Sequence, residues 1–478
     1  MPAPESGVKV RMYRTGLGDC FLLAFRDRVG DPRYMLIDCG IHSQWKDGSN
    51  RIRSVVDHIR RSTNDHLDIV VVTHEHGDHV SGFYQARDAF KNMNVDAVWM
   101  AWTEDPDNEV AKRLDRHRAF MLKALRAAHQ GLSDEDPAAR NANHRLGFFE
   151  LAETSLGISS RDARNAARDL VQNPRYLRPK TAPLTMPDVD GVRIFVLGPP
   201  EDEKWLMRAR PSSRKEEVYE EDVRMRFGGD EAAACALMAA GGLALDTSDY
   251  ARIEGNQPFT SNHRIPADIV MENAEDYGFF HEHYGFSDSD EAAWRRIDTD
   301  WQAAAETLAL KLDAATNNTS LVLAIEFKAS GRVLLFPGDA QVGNWKSWHE
   351  GIWTEENGLE RGEQVSAEDL LNRTVLYKVG HHGSHNATLR GQGLEMMNSD
   401  DLTAIIPVDE KWAYDRRPYA WKMPFAPLYE DLLKRTHGRI LRSDVGLVKP
   451  DRPGDAWREF KKRVRVEDLY VEVTVADD

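Results

Sequence analysis

The sequence has few cysteines and no long hydrophobic run. Three cysteines occur in 478 residues, and none forms a Cys-x-x-Cys pair, so we expect no disulfide framework. No stretch approaches the roughly 20 apolar residues of a membrane-spanning helix. Residues 1–6 lack the basic start and apolar middle of a signal peptide. These absences predict a soluble protein of the reducing cytoplasm without a membrane partner.

The chain also has fewer basic than acidic residues. Lysine and arginine number 62 against 78 acidic residues, which gives a formal net charge of −16. This balance argues against a broad electrostatic attraction to nucleic acid, although a local basic groove or bound cations could still provide one. Apolar residues make up 41% of the chain, enough for a core in one large domain with insertions or in two or three small ones.

The densest cluster of potential metal ligands follows an apolar run at residues 67–72, which has the length and β-branched content of a buried strand. His74, His76, Asp78 and His79 lie within six residues, and Gly77 allows a tight loop in which all four converge. Imidazole and carboxylate suit zinc or manganese. Because one catalytic ion usually takes three protein ligands, the spacing favours two ions, with His74 and His76 on one and Asp78 and His79 on the other.

The pattern His-x-His-x-Asp-His after a hydrophobic strand resembles the metallo-β-lactamase superfamily. The resemblance implies an α/β fold, a four-layer αββα sandwich with a binuclear metal site along one edge of its two sheets. The short strands and tight turns that precede the motif are typical of the start of an antiparallel sheet.

Two earlier segments narrow the resemblance to the ComEC branch, named for the hydrolase domain of the DNA-uptake protein. They are the turn at residues 16–19, which ends in Asp19, and the strand end at residues 36–40. The branch usually has Gln where this chain has Leu17, so a polar contact from that position is not expected. Asp38, at the strand end, either orients the metal loop or is a simple turn residue.

A hairpin is predicted at residues 321–340, with Asn317 and Ser320 before it and Asp339 after its second strand. This arrangement also resembles the ComEC branch. A carboxylate has two oxygens and can bridge two ions about 3.5–4 Å apart, and Asp339 is the candidate for that bridge.

The second strong signature follows the strand at residues 375–379, where Lys378, His381, His382 and Ser384 match the family pattern Lys-x-x-His-His-Gly-Ser. The resemblance implies that one histidine, for which we favour His382, is the last ligand of the second ion. His381 could bind substrate or transfer a proton. Lys378 could hold an anionic substrate or form a structural ion pair.

We therefore expect catalytic roles for Asp78, His381 and Lys378. Asp19, Asp38, Ser384 and Asn386 are expected to orient ligands or contact substrate.

The rest of the chain divides around these motifs. Residues 1–200 are predicted to form the first half of the sandwich, with a helical insertion at about 103–180, and residues 317–478 the second half. Gly198 stands where many superfamily members place a metal-binding histidine. Residues 201–316 are predicted as a charged, mainly helical insertion. Within it, His281 and His283 could supply the missing ligand, although a solvated loop is the simpler interpretation.

Residues 412–424 are aromatic and basic, and they could stack bases or pack over the core, the latter being favoured.

The sequence thus predicts a hydrolase that uses two divalent cations, zinc or manganese, to activate water. A phosphodiesterase or nuclease is favoured, with a phosphodiester substrate such as nucleic acid. One alternative is a hydrolase of a carbonyl substrate such as a lactone, thioester or β-lactam. Another is a regulatory subunit with a weak or dormant site, which binds a partner protein through residues 201–316.

Overall fold

The computed structural model describes residues 1–130, 146–151, 158–208, 278–279, 300–415, 420–450 and 452–477. The chain divides into two compact units. One comprises Met1–Asp115, Gly147–Val223 and Asp313–Asp478, and the other comprises Arg116–Leu146 and Arg224–Leu312. All described strands belong to the first unit, and the described residues of the second unit are helical.

The strands of the described residues are β1 (Val8–Tyr13), β2 (Cys20–Arg26), β3 (Pro32–Cys39), β4 (His66–Val72), β5 (Asn94–Ala101), β6 (Arg175–Leu177), β7 (Val192–Gly198), β8 (Val322–Phe327), β9 (Val333–Phe336), β10 (Ile352–Trp353), β11 (Val365–Ser366), β12 (Thr374–Lys378), β13 (Thr403–Ile406), β14 (Ile440–Arg442), β15 (Gly446–Leu447), β16 (Val464–Val466) and β17 (Tyr470–Val475).

The α-helices, numbered over the same residues, are α1 (Gly48–Thr63), α2 (Gly77–Gln85), α3 (Arg87–Lys91), α4 (Glu109–Gln130), α5 (Ser160–Arg168), α6 (Glu203–Leu206), α7 (Asp300–Asn317), α8 (Val342–Trp348), α9 (Ala367–Asn372), α10 (Glu410–Tyr414), α11 (Ala426–Arg435) and α12 (Asp455–Lys462). Short 3₁₀ turns lie at Trp102–Glu104, Glu355–Asn357, His381–Gly383 and Leu394–Met396.

Two mixed sheets form the centre of the first unit. In the described residues one sheet has the order β16-β17-β1-β2-β3-β4-β5-β6, and the other has the order β15-β14-β13-β12-β9-β8-β7. Strands β3 to β6 run parallel to one another, as do β9, β12, β13 and β14. Because the carboxyl ends of parallel strands share one edge of a sheet, each sheet presents a row of loops suited to ligand binding.

The two sheets pack face to face through one apolar cluster. Alternate residues of one sheet, such as Val10 and Leu23, lie in the same buried cluster as Ile325 and Leu334 of the other. This is the period-two pattern of a strand with one face toward the core. Each such side chain, when fully buried, contributes about 1.5–3 kcal/mol to the free energy of unfolding.

Helices cover the outer faces. The opposite-facing residues of the first sheet, such as Leu22 and Val70, pack with Ile52 and Val56 of α1. On the second sheet, Trp345 of α8 contacts Tyr377 of β12 edge to face, with ring centroids 6.3 Å apart. The order helix–sheet–sheet–helix is the four-layer αββα arrangement that the sequence predicts.

The C-terminal hairpin and β6 complete the first sheet. Strands β16 and β17 form an antiparallel hairpin, and β17 also pairs with β1. Strand β6 lies inside the segment 103–180 that was predicted to be helical, and it pairs with β5 at the other edge. Within the described part of the chain, every helix is too short or too polar to cross a bilayer.

Candidate metal centre

The centre lies where the ends of parallel strands from both sheets meet. His74 and His76 follow β4, and Asp78 and His79 lie in the first turn of α2. The sequence places all four in one loop, but the structure begins the helix at Gly77. The helix N-terminus favours the negative charge of Asp78.

The two distant sequence signatures come together at this edge. The His382 Nε2 atom lies 2.8 Å from Asp78 Oδ2, although the residues are 304 positions apart. The His79 Nε2 atom lies 3.2 Å from Asp339 Oδ2. The four side chains are buried, and their potential ligand atoms all lie within 4.8 Å of one another. We call Asp78, His79, Asp339 and His382 the carboxylate cluster.

The other two predicted ligands adjoin this cluster. The His74 Nε2 atom lies 3.0 Å from His76 Nδ1. The His74 ring also lies beside the His79 ring, with centroids 4.1 Å apart. We call His74 and His76 the imidazole pair. All six predicted metal ligands therefore lie in one contiguous, buried region.

Three of the imidazoles are held from behind by an oxygen. His382 Nδ1–H donates to the Pro407 carbonyl at 2.6 Å, because a carbonyl oxygen can only accept. His79 Nδ1–H donates to Asp38 Oδ2 at 2.8 Å, and His74 Nδ1 lies 3.1 Å from Thr73 Oγ1. Such anchors fix which ring nitrogen carries the proton, so the other nitrogen of each ring faces inward as a potential ligand.

Asp38 connects two of these anchors. This residue has a φ of 55°, in the left-handed region, near the end of β3. Its carboxylate accepts hydrogen bonds from Thr73 N at 2.8 Å and from Thr73 Oγ1 at 2.7 Å, as well as from His79. Of the two sequence-based alternatives for Asp38, these contacts match the one in which it orients the metal loop.

The residues present fit a bound cation. Asp19 Oδ1 and Asp78 Oδ1 are buried and have no hydrogen-bond partner among the described residues, and each such atom costs about 1–3 kcal/mol. His382 donates through Nδ1, so its Nε2 lone pair and Asp78 Oδ2 need a proton or a cation between them. Imidazole nitrogens and carboxylate oxygens are ligands that zinc and manganese accept.

The charges of the carboxylate cluster compensate each other. Burial lowers the pKa of His79, but the carboxylates of Asp339, Asp19 and Asp78 outweigh it and raise that pKa well above its usual value. Burial likewise opposes ionisation of Asp339, yet Lys378 and His79 hold its pKa well below the usual range. A proton on His79 and a cation thus compete for the same carboxylates, and cation binding releases protons.

Lys378 lies beneath the cluster with its ammonium group buried. The ammonium forms an ion pair with Asp19, and its Nζ lies 3.1 Å from Asp339 Oδ1 and 2.9 Å from the Gly338 carbonyl. Three oxygens thus accept the three N–H donors of the ammonium. This arrangement favours the structural ion pair over substrate binding for Lys378, and it accounts for Asp19 as the partner carboxylate.

His381 borders the same centre. Its backbone N–H donates to Asp339 Oδ1 at 2.8 Å, and burial lowers the pKa of its ring to about 4, so the ring is neutral at pH 7. His381 and His382 have φ angles of 44° and 53°. Left-handed conformations of this kind cost on the order of 1–3 kcal/mol each and persist where the surrounding contacts hold them.

Two other predicted residues lie further along the same turn. The Ser384 hydroxyl donates to Asn386 Oδ1 at 2.9 Å, and its Oγ lies 3.5 Å from His385 Nδ1. These contacts join Ser384 and Asn386 to each other and do not involve the predicted metal ligands. Their expected role toward ligands or substrate stays a prediction.

Packing leaves no space for a histidine side chain at position 198, where many superfamily members have one. A Cβ atom on Gly198 would lie 2.1 Å from Asn344 Oδ1, so no larger residue fits there without a shift. Asn344 in turn donates to the Ser320 and Asn318 carbonyls at 2.9 and 3.0 Å. The predicted substitutes His281 and His283 lie outside the described residues.

A buried charge network that the sequence does not reveal supports the metal loop. Arg164 of α5 places Nη1 2.7 Å from Glu75 Oε2 and 2.5 Å from Glu104 Oε2. Glu75 stands between His74 and His76, so this network ties the metal loop to α5. The motif itself pointed to Glu75 only as a spacer, and no local pattern marks Arg164, which is 89 residues away.

Two tryptophans of the aromatic segment at residues 412–424 pack against other rings. Trp412 and Trp421 contact the buried His42 ring at centroid distances of 5.0 and 5.6 Å. Phe148 stacks on Trp421 at 5.2 Å. These contacts match the packing interpretation of the segment. Residues 416–419, which include the predicted arginines Arg416 and Arg417, lie outside the described residues.

Residues 14–129 match the family model of the metallo-beta-lactamase superfamily. No curated protein and no solved structure shows significant similarity to the chain. The match covers β2 to β5 and the His74–His79 motif, and the two packed sheets have the αββα architecture of that superfamily. The superfamily consists mostly of hydrolases and typically binds divalent metals, which agrees with the His/Asp cluster in this chain.

Proposed function

We propose that the protein is a metal-dependent phosphodiesterase of the ComEC-like type, with a binuclear site. The observation that carries the proposal is the convergence of the carboxylate cluster and the imidazole pair at one sheet edge. Asp78 contacts His382 at 2.8 Å, and the imidazole pair lies beside His79. Two adjoining ligand sets are what a two-cation hydrolase requires.

The residues of the centre fall into three groups: those that would bind cations, those that orient the ligands, and one that would contact the substrate. The carboxylate cluster and the imidazole pair would hold two divalent cations, which when bound acidify water and polarise a phosphoryl oxygen. Asp339 faces His79 with one oxygen and Lys378 with the other, so its carboxylate is fixed in orientation. His381, neutral at pH 7, is positioned to contact the substrate or to carry a proton beside Asp339.

The phosphodiester class is supported by the His381–Ser384 signature and by the Gly338–Ala340 turn, both of which resemble the ComEC branch. A phosphodiester places negative charge on its two non-bridging oxygens, and paired cations compensate that charge directly. Because the chain has a net charge of −16, we expect local cation contacts, rather than the protein's overall field, to bind the substrate.

A substrate panel tests the proposal. Metal-stripped protein would be reloaded with zinc, manganese or magnesium and incubated with bis-p-nitrophenyl phosphate, single-stranded DNA, duplex DNA and RNA. A p-nitrophenyl ester, a lactone and a β-lactam would represent the carbonyl alternative. We expect cleavage of at least one phosphodiester only after reloading. Asp78→Ala should reduce that cleavage more than about 100-fold, since even groups behind a ligand cost 10–100-fold.

His437→Asn serves as the matched control for loss of a histidine, because His437 is exposed and asparagine tolerates its φ of 50°. Its cleavage rate should equal that of the original chain. Carbonyl hydrolysis without phosphodiester cleavage would overturn the proposed substrate class. A chain that binds no divalent cation at micromolar concentration would favour the regulatory alternative, in which residues 201–316 bind a partner protein.

A further inference from the structure

The two ring nitrogens of His76 face different partners. Its Nδ1 atom faces His74 Nε2 at 3.0 Å, while its Nε2 atom points the other way. That Nε2 atom lies 3.9 Å from Oδ1 of Asp313, a residue near the end of α7 that is only 4% exposed. Two aromatic rings, Phe148 and Phe149, flank the imidazole at centroid distances of 5.5 and 4.7 Å.

The geometry of the imidazole pair identifies the cation-facing nitrogen. A cation binds imidazole nitrogen at about 2.0–2.1 Å, so two nitrogens 3.0 Å apart can bind the same cation. His74 meets this condition through Nε2 and His76 through Nδ1. The opposite nitrogen of each ring then carries the proton. For His74 the proton on Nδ1 points to Thr73, and for His76 the proton on Nε2 points to Asp313.

We propose that Asp313 is the positioning residue of His76, a carboxylate that fixes the ring so that Nδ1 faces the cation. The inference rests on the metal site of the proposed function and not on the substrate class. It completes a common pattern, in which Thr73, Asp313, Asp38 and the Pro407 carbonyl each stand behind one imidazole. A carboxylate behind a ligating histidine fixes its tautomer and raises its basicity.

Asp313 is not a direct ligand in this arrangement. Its carboxylate approaches the nitrogen that faces away from His74, and the ring lies between that carboxylate and the cation-facing nitrogen. The distance of 3.9 Å exceeds an N–H···O hydrogen bond of 2.7–3.2 Å, and a carboxylate movement of about 1 Å closes it. We expect that closure when the imidazole pair binds a cation.

Gly198 and Asp313 both belong to the first compact unit. Gly198 is packed against Asn344 and provides no side chain. Asp313 lies near the end of the predicted insertion at residues 201–316, and the structure places it in the first compact unit, which also contains the imidazole pair. Its proposed role is to orient His76 from within that unit.

Cation titration of the full chain tests this role without any substrate. Metal-stripped protein, Asp313→Ala and Asp313→Asn would be titrated with zinc by calorimetry, and bound metal would be counted by elemental analysis. We expect two ions per chain in all three proteins. In Asp313→Ala the affinity of one site should fall about 10–100-fold, the usual effect of losing a partner behind a ligand. Asp313→Asn should lose less, because its amide oxygen still accepts the Nε2 proton.

Lys311→Ala is the matched control on the same helix and should bind both ions like the original chain. Three results would overturn the inference. Unchanged affinity in Asp313→Ala would remove the role of Asp313, and binding of a single ion at saturation would make it a ligand. Equal weakening of both sites, with a lower Tm of the metal-stripped protein, would indicate a general structural role. Because no substrate is present, absence of phosphodiester cleavage cannot produce any of these results.

Discussion

The two ligand sets of the centre differ in charge and in origin. The carboxylate cluster joins residues from both sheets across 304 positions and contains two carboxylates, of which Asp339 forms an ion pair with Lys378. The imidazole pair comes from a single loop and contains no charged ligand, and its carboxylates, Glu75 and Asp313, stand behind it or beside it. The electrostatic attraction of a cation is stronger to a buried carboxylate than to a neutral ring. We therefore expect the carboxylate cluster to bind its cation more tightly.

The comparison shows that ionised side chains are buried in this centre only where an oppositely charged side chain is in contact with them. In the carboxylate cluster every charged group has an opposite charge within 4 Å. In the imidazole pair the rings are neutral, and burial lowers the pKa of both His74 and His76, well below the usual value for His74. The first set depends on ion pairs between its own members, whereas the second is a neutral pair in one loop whose carboxylate contacts lie outside the pair.

Asp339→Ala should break the carboxylate cluster with the largest effect. Loss of this carboxylate removes one of the two carboxylates that Lys378 and His79 share, the other being Asp19. Breaking a buried ion pair costs up to about 3–5 kcal/mol. The cluster should also lose its cation while the imidazole pair keeps a weak one. Urea denaturation and a metal count measure the two effects. An unchanged midpoint together with two bound ions would contradict the assignment of Asp339.

Arg164→Leu should destabilise the loop that carries the imidazole pair. Without the guanidinium, Glu75 and Glu104 remain as buried carboxylates without their shared counter-ion, so we expect a loss of up to about 3–5 kcal/mol. The double variant Arg164→Leu with Glu75→Gln should recover part of that loss, because one buried charge disappears. Thermal unfolding of the metal-stripped proteins compares the two. If the double variant proves less stable than the single one, the network does not hold the loop as described.

Asp38→Asn should have the smallest effect on stability and should weaken cation binding at only one of the two ligand sets. Asparagine tolerates the left-handed φ of 55° and can still accept from Thr73, so the fold should persist. His79 loses a charged acceptor, and the affinity of the carboxylate cluster for zinc should fall about 10–100-fold. The imidazole pair should bind as before in the same titration. A loss confined to the imidazole pair would show that Asp38 acts mainly through Thr73.

Local motifs were predictable because they are contiguous and carry their own chemistry. The strands before and within the first histidine signature, the hairpin β8–β9 and the two histidine signatures follow from alternating or continuous apolar runs and from residues within a few positions of each other. The placement of Asp78 and His79 on a helix was missed, because the loop and the first helical turn share the same polar residues. Arg164 and Asp313 were missed because isolated charged residues in helices are usually solvated.

The sequence by itself determined which side chains could bind cations and which strand ends would carry them, since both depend on residue type and local spacing. The tertiary structure decided which nitrogen of His76, His79 and His382 faces inward, because the anchors Asp313, Asp38 and Pro407 come from separate elements. Thr73, by contrast, directly precedes the His74 ring that it anchors. The tertiary structure also decided that Lys378 pairs with Asp19 and Asp339, since buried charges settle where folding brings their partners within reach.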